Sequence, residues 1–140
     1  MPKSAMPSTQ TKEKKAGIVV LKEDDGSFVV LGLRYKSSYD LPKGTIDPGE
    51  SVLDAALRET EEEAHITELD FRWGLQAKRI GNTTFFVATT SQRPLVAPNP
   101  TTGELEHDAA HWLTLDQAEH SLHLDLRPVV EWIRNVTGEI

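Results

Sequence analysis

One segment, LPKGTIDPGESVLDAALRETEEEAHI at positions 41–66, does most to restrict what this 140-residue chain can fold into. Ser51 stands three residues before Asp54, as a helix N-cap does, and no proline or glycine follows before Ile66. Leu53, Ala56, Leu57, Thr60 and Ala64 recur at helical spacing and form one packing stripe. On the side away from that stripe, Glu59, Glu62 and Glu63 fall within an arc of about 100°. Glu61 lies outside the arc and is expected to face solvent. Like charges three or four apart on a helix cost about 0.2–0.5 kcal/mol per pair. The carboxylates therefore mark either a well-solvated face or a place where positive charge sits. In both cases the stripe must be covered by another layer of structure.

The flanking sequence supplies that layer as strands. AGIVVL (16–21) reads as a buried strand, Asp25-Gly26 as a hairpin turn and FVVLGLRY (28–35) as the returning strand. KSSYDLPKGTIDPGE reads as a long structured loop before the helix. LDFRWGLQAKRI (69–80) and TTFFVATT (83–90) form a second hairpin about Gly81-Asn82, and 91–103 is an irregular, proline-rich loop. HDAAHWLTL (107–115) ends in a short strand, a helix starts at Thr114 or Asp116, and 125–136 is a terminal helix with Asp125 near its N-cap. Strands, a helix, more strands and a closing helix predict a mixed α/β sandwich. Residues 1–15 read as a flexible arm and 16–140 as a single domain.

Composition narrows the function classes. The chain has no cysteine, so disulfides and thiolate metal sites are excluded. No apolar run reaches membrane-spanning length and the first residues carry no signal-like stretch, so no membrane partner and a cytoplasmic location are the expectation. A net charge of −7 argues against a broad nucleic-acid surface, hence against DNA. It is compatible with a phosphorylated small molecule, because a bound divalent cation inverts the local field. Lysines 3, 12, 14 and 15 form a short basic tail, read as solvated, and the pattern carries no oligomer signal.

A run of three glutamates alone is usually a solvated face. The spacing upstream changes that reading. Gly44, Glu50, Arg58-Glu59 and Glu62-Glu63 occupy six fixed positions, a coincidence on the order of 10⁻⁷ per starting point at average residue usage. Mg²⁺ and Mn²⁺ take oxygen ligands, Mg²⁺ commonly from a few carboxylates plus substrate phosphates. The segment resembles the Nudix box, Gly-x5-Glu-x7-Arg-Glu-U-x-Glu-Glu-x-Gly-U with U a bulky aliphatic residue, and Ile66 matches its final position. Two positions depart. Thr60 stands for the first aliphatic residue but keeps a methyl group on the stripe. His65 stands for the last glycine, where a left-handed helix end is expected that histidine tolerates at about 1 kcal/mol.

The resemblance implies an α/β/α sandwich with a mixed sheet across 16–137, and hydrolysis of a nucleoside diphosphate linked to another moiety. It implies Glu59, Glu62 and Glu63 as ligands of Mg²⁺ or Mn²⁺, helped by the Gly44 carbonyl, with one glutamate taking the proton of the attacking water. Arg58 would orient a neighbouring glutamate, beside an ordinary pairing with Asp54 or Glu62, and Glu50 would support the loop. EHDAAHWLTLDQA resembles the segment of diadenosine tetraphosphate hydrolases that carries a further acid, which implies Glu106, with Glu104 in reserve. LPKG and DPGE are similar to the dinucleoside polyphosphate and diphosphoinositol polyphosphate branch, although its usual LPKGH is LPKGT here. Lys43 is then a phosphate contact, with Lys78, Arg79 and Arg34 as added charge. Phe85 or Phe86 is the expected base platform, with Tyr35, Tyr39 and Trp73 as alternatives. The implied activity is a divalent-metal-dependent pyrophosphohydrolase acting on a dinucleoside polyphosphate or related nucleoside diphosphate derivative. Diphosphoinositol phosphates, capped RNA 5′ ends and nucleoside triphosphates are alternative substrates, and a non-catalytic nucleotide-binding module is the alternative class.

Overall fold

The computed structural model of the chain describes residues 14–98, 100 and 102–139. Strand β1 (Lys15–Asp24) is the spine. Its apolar run fills both faces of the sheet, with Ala16, Ile18 and Val20 on one side and Val19 and Leu21 on the other. Asp25 and Gly26, at φ 55° and 86°, make the mirror-image turn that suits strand twist. The chain returns as β2 (Ser27–Tyr35).

β1 and β2 pair only where Leu21–Asp24 meets Ser27–Val30, and then splay apart. Two three-residue strands fill the wedge, β3 (Ser38–Asp40) against the end of β2 and β4 (Lys43–Thr45) against the start of β1. The stretch read as loop therefore carries short ladders. Their brevity and the proline between them hid them from pattern reading.

Helix α1 (Val52–Ala64) follows. Then come β5 (Ala77–Ile80) and β6 (Thr83–Thr89), β6 lying parallel to β1 along Lys15–Leu21. The expected strand over 69–80 is confined to its last four residues, because a turn at Phe71–Gly74 breaks it and Asp70 alone bridges to Thr89. β7 (Ala109–Thr114) pairs with the outer edge of β2.

Of the two expected starts for helix α2 (Leu115–Ser121), Thr114 is the cap, in a reciprocal box with Gln117. The terminal helix α3 (Pro128–Thr137) starts later than expected, after a 3-10 turn at Leu124–Leu126, with Pro128 at the first helical position. α1 covers one face of the sheet over Ala55, Ala56, Ala64 and Ile66, and α2 and α3 cover the other through Ala118, Val130 and Ile133. The α/β/α sandwich with a mixed sheet is the observed architecture. β1 starts at Lys15, the last residue of the expected arm, and 1–13 lie outside the described residues. Among the described residues no helix is long and apolar enough to cross a membrane.

Candidate active site

α1 is held at its start by Ser51, whose hydroxyl accepts the Asp54 N–H at 3.0 Å. Its buried residues are all small, Ala55, Ala56, Thr60 and Ala64. The helix can therefore lie close on the sheet, and the Thr60 hydroxyl is satisfied by the Ala56 carbonyl at 2.8 Å. Ala55 belongs to the stripe and Leu53 and Leu57 are only partly buried, so the contact face is rotated from the one expected. The carboxylate arc consequently does not point away from the packing face. Glu59 and Glu63 continue the row of Ala55 along its flank, and the Glu59 side chain is only 12% exposed. Glu62 is more open at 35%, and Glu61 faces solvent.

Burial of charge demands partners, and Arg58 supplies some. Its Nε and Nη2 grip Glu50 at 2.7 and 3.0 Å, Nη2 also donates to the Thr45 carbonyl at 2.9 Å, and Nη1 reaches Glu59 at 2.9 Å. Glu62 is touched more loosely, at 3.4 Å. The bidentate grip ties the Asp47–Glu50 turn to the helix. It also raises the arginine's pKa and holds Glu50 below the usual carboxylate range. Asp54, an expected partner of Arg58, is instead engaged at the N-cap through its backbone.

Glu63 has no such counter-charge. Its carboxylate accepts the Lys43 N–H at 3.1 Å, yet burial, with Glu59, Asp40 and Glu106 nearby, pushes its pKa up to about 8. Burial also raises Glu59, and Arg58 opposes that shift. Gly44 pairs with Ala16 and lies so close to α1 that a Cβ there would fall on the Glu59 carboxyl group. Gly44→Ala should therefore displace Glu59 and cut turnover at least about tenfold, the scale of an outer-shell loss, while the far-UV spectrum stays native. At the helix end His65 has φ 57°, and its N–H closes on the Glu61 carbonyl. The left-handed end expected of the family glycine is kept, and the His65 ring also meets the Leu95 carbonyl at 3.2 Å.

These groups open onto a cleft of about 680 Å³, lined by Glu59, Glu62, Glu63 and Glu106 with Gly44 and Lys43. Glu104 reaches this cleft, but only Glu106 also lines the inner hollow against the three helix glutamates. A second chamber of about 590 Å³ adjoins at the mouth of the β1/β2 wedge and shares Lys15, Tyr35, Asp40 and Lys43 with the first.

The base platform expected at Phe85 is not there. Phe85 is fully buried under α3, and Phe86, 9% exposed, lies on the opposite face under α1. Adjacent residues of a strand covered on both sides point into two cores, and neither lines the cleft or the second chamber. Trp73 packs edge-on against Phe28 at 5.4 Å, away from the cleft. Tyr35, 48% exposed, lines both chambers, and Tyr39 lines the second. Arg34 is paired with Asp108 at 2.9 Å, and Lys78 and Arg79 line neither chamber.

Oxygen donors with excess negative charge are the set a hard divalent cation takes. Glu63 and Glu106 have no ion pair among the described residues, so the chemistry of the set fits such a cation. Among the described residues no three acidic or histidine side chains converge at ligand spacing. The physical reason is visible: Arg58 draws Glu59 and Glu62 to itself, and Glu63 turns to the Lys43 amide.

The family model described as NUDIX domain matches residues 11–133. The asymmetrical bis(5'-nucleosyl)-tetraphosphatase of Caenorhabditis elegans is 43% identical over 58 residues, 39% of this chain and 42% of that protein. The RNA pyrophosphohydrolase of Pelagibacter ubique (strain HTCC1062) is 42% identical over 55 residues, 39% of this chain and 35% of that protein. The chain thus spans less than half the length of these curated relatives. A C. elegans Ap4A hydrolase binary complex superposes with a TM-score of 0.72 at 22% identity, covering 91% of this chain and 99% of that one. RenU, a Nudix hydrolase from M. smegmatis, gives 0.67 at 19% identity, covering 92% and 88%. These two likenesses show a common fold, and with the family model matched from residue 11 to 133 the chain belongs to the NUDIX domain family.

Proposed function

We propose that the domain expected over 16–140, extended by Lys15 at the start of β1, is one catalytic unit that hydrolyses a phosphoanhydride bond in a dinucleoside polyphosphate or related nucleoside diphosphate derivative, using Mg²⁺ or Mn²⁺. The observation that carries this reading is the cleft itself. Four carboxylates share one wall region while Lys15, Lys43 and Tyr35 line the passage to a second chamber. Glu59, Glu62, Glu63, Glu106 and the Gly44 carbonyl would hold the cation, which neutralises phosphate oxygens and lowers the pKa of water. Arg58, fixed on Glu50, steadies Glu59. Glu62, more exposed than Glu59 and touched only loosely by Arg58, would also take the proton of the attacking water. Lys15 and Lys43 stand where a polyphosphate would pass between chambers, and a nucleobase would stack on Tyr35. The C. elegans relative, described as acting on bis(5'-nucleosyl) tetraphosphates, supports this substrate class. The P. ubique relative supports a second reading, an RNA 5′ end, against which the charge of −7 weighs.

The test is a substrate panel of diadenosine tetraphosphate, ADP-ribose, a nucleoside triphosphate and a 5′-triphosphorylated RNA, with products identified by mass. Hydrolysis of diadenosine tetraphosphate well above the others is expected, and preference for compact ADP-ribose would remove the polyphosphate reading. Tyr35→Ala should raise KM about tenfold, as loss of one base stack of about 1–3 kcal/mol does. Phe85→Leu should leave KM alone and lower stability by about 1–3 kcal/mol in a denaturant titration.

A further inference from the structure

Asp40 and His107 were not singled out by the sequence, and they meet across 67 residues of chain. Asp40 ends β3, and its carboxylate is aligned by the next amide, Leu41 N–H, at 2.8 Å. The same carboxylate receives Lys43 Nζ at 3.3 Å and His107 Nε2 at 3.3 Å. A carboxylate accepts only, so Nε2 carries the proton. His107 is 6% exposed and its ring is edge-on to Tyr35.

Glu106, the next residue back, needs a restraint. It shares the cleft with Glu59, Glu62 and Glu63, and no ion pair draws it there among the described residues. Repulsion alone would swing a loop carboxylate out to water. Two side-chain clamps hold its segment, beside the backbone hydrogen bond from the Asp108 N–H to the Arg34 carbonyl at 3.1 Å. The outer one, Arg34 with Asp108, is about half exposed on both sides, and such a pair is worth at most about 1 kcal/mol. The inner one, Asp40 with His107, is shielded by its surroundings and sits one residue from Glu106.

We propose that Asp40 and His107 are positioning residues whose shared hydrogen bond holds Glu106 in the acidic cleft and, through the same carboxylate, aims Lys43 along it. Docking of the Glu106 segment and orientation of the phosphate-facing ammonium are then one event. The catalytic half of this inference rests on the hydrolase reading above. The docking half does not.

The experiment combines a double-substitution cycle with hydrogen exchange. His107→Ala should lower kcat for diadenosine tetraphosphate about tenfold or more, with KM moving less than about threefold. In a Glu106→Gln background the same substitution should cost no more than about twofold, because residues acting through one another are not additive. His107→Gln, which carries an N–H at similar reach, should restore most of the loss. In metal-free protein, amides of residues 104–108 should exchange faster in His107→Ala and in Asp40→Asn than in wild type. Equal kinetic losses in both backgrounds would overturn the positioning role. Unchanged exchange would overturn the docking, whatever the activity. If His107→Ala does not fold, the His107→Leu cycle against Glu106→Gln decides the same question, since it breaks the hydrogen bond and leaves Asp40 on Lys43. If wild type cleaves nothing on the panel, the hydrolase reading and the catalytic half fall together, while exchange still decides the docking.

Discussion

Glu63→Gln is expected to lower kcat by about a hundredfold or more, the scale of losing a metal ligand or a general base, while the metal-free protein melts no lower than wild type. The two halves have one cause. Glu63 is buried among Glu59, Asp40 and Glu106 with no cation paired to it, so charging it, which without metal sets in only near pH 8, burdens the metal-free fold. Glutamine keeps the shape and can still accept the Lys43 N–H, so the substitution removes repulsion and leaves the packing. Glu62→Gln should lose kcat on a similar scale. Glu61→Gln should be nearly silent, because Glu61 faces solvent one residue away. Measured kcat, with melting curves taken in chelator, separates the three. Equal losses at all three positions would mean that net charge, rather than this arrangement, drives turnover.

The elements carrying the strongest local chemistry were legible before any coordinates. Ser51 and Thr114 cap their helices as their hydroxyls and following residues predict, and Asp25-Gly26 makes the turn that only two left-handed residues in a row can make. The helix end at His65 was legible from a departure: a residue in the family glycine's place must accept the same left-handed geometry, and it does. Periodicity failed where the period was ambiguous. A stripe drawn through Leu53 and Leu57 differs by one row from one drawn through Ala55 and Ala56, and hydrophobicity favours the leucines. Packing prefers the alanines, because they let backbone approach backbone. That rotation is why Glu59 and Glu63 are largely covered rather than free.

The site residues that were missed depend on tertiary contact alone. Phe85 and Phe86 alternate correctly, yet alternation cannot say that helices cover both faces of β6. Lys15 comes to the cleft because β1 and β2 splay, which neither strand's sequence records. Asp40 and His107 meet because β3 and β7 both pair with the end of β2, which brings the residues leading into β7 to Asp40, and no spacing rule spans that distance.

Metal removal is the second large effect. In the metal-free cleft Glu59, Glu62, Glu63 and Glu106 face only Lys15 and Lys43 among the described residues, the latter drawn to Asp40, while Arg58 is gripped by both oxygens of Glu50. A ligand that binds only the folded state stabilises it by about 2.7 kcal/mol at a hundredfold excess over Kd, which for a domain of this size is roughly 5–10 °C in Tm. Millimolar Mg²⁺ or Mn²⁺ should therefore raise the melting temperature by that order. The rise should shrink in Glu63→Gln and in Glu59→Gln, because each removes a donor. The Ca²⁺ response should be weaker in activity than in melting, since Ca²⁺ takes the same oxygens with looser geometry. Excess chelator should abolish hydrolysis outright, and returning Mg²⁺ should restore it. Full turnover in chelator would leave the carboxylates without their assigned task, and an unchanged melting temperature in either metal would deny them a cation altogether.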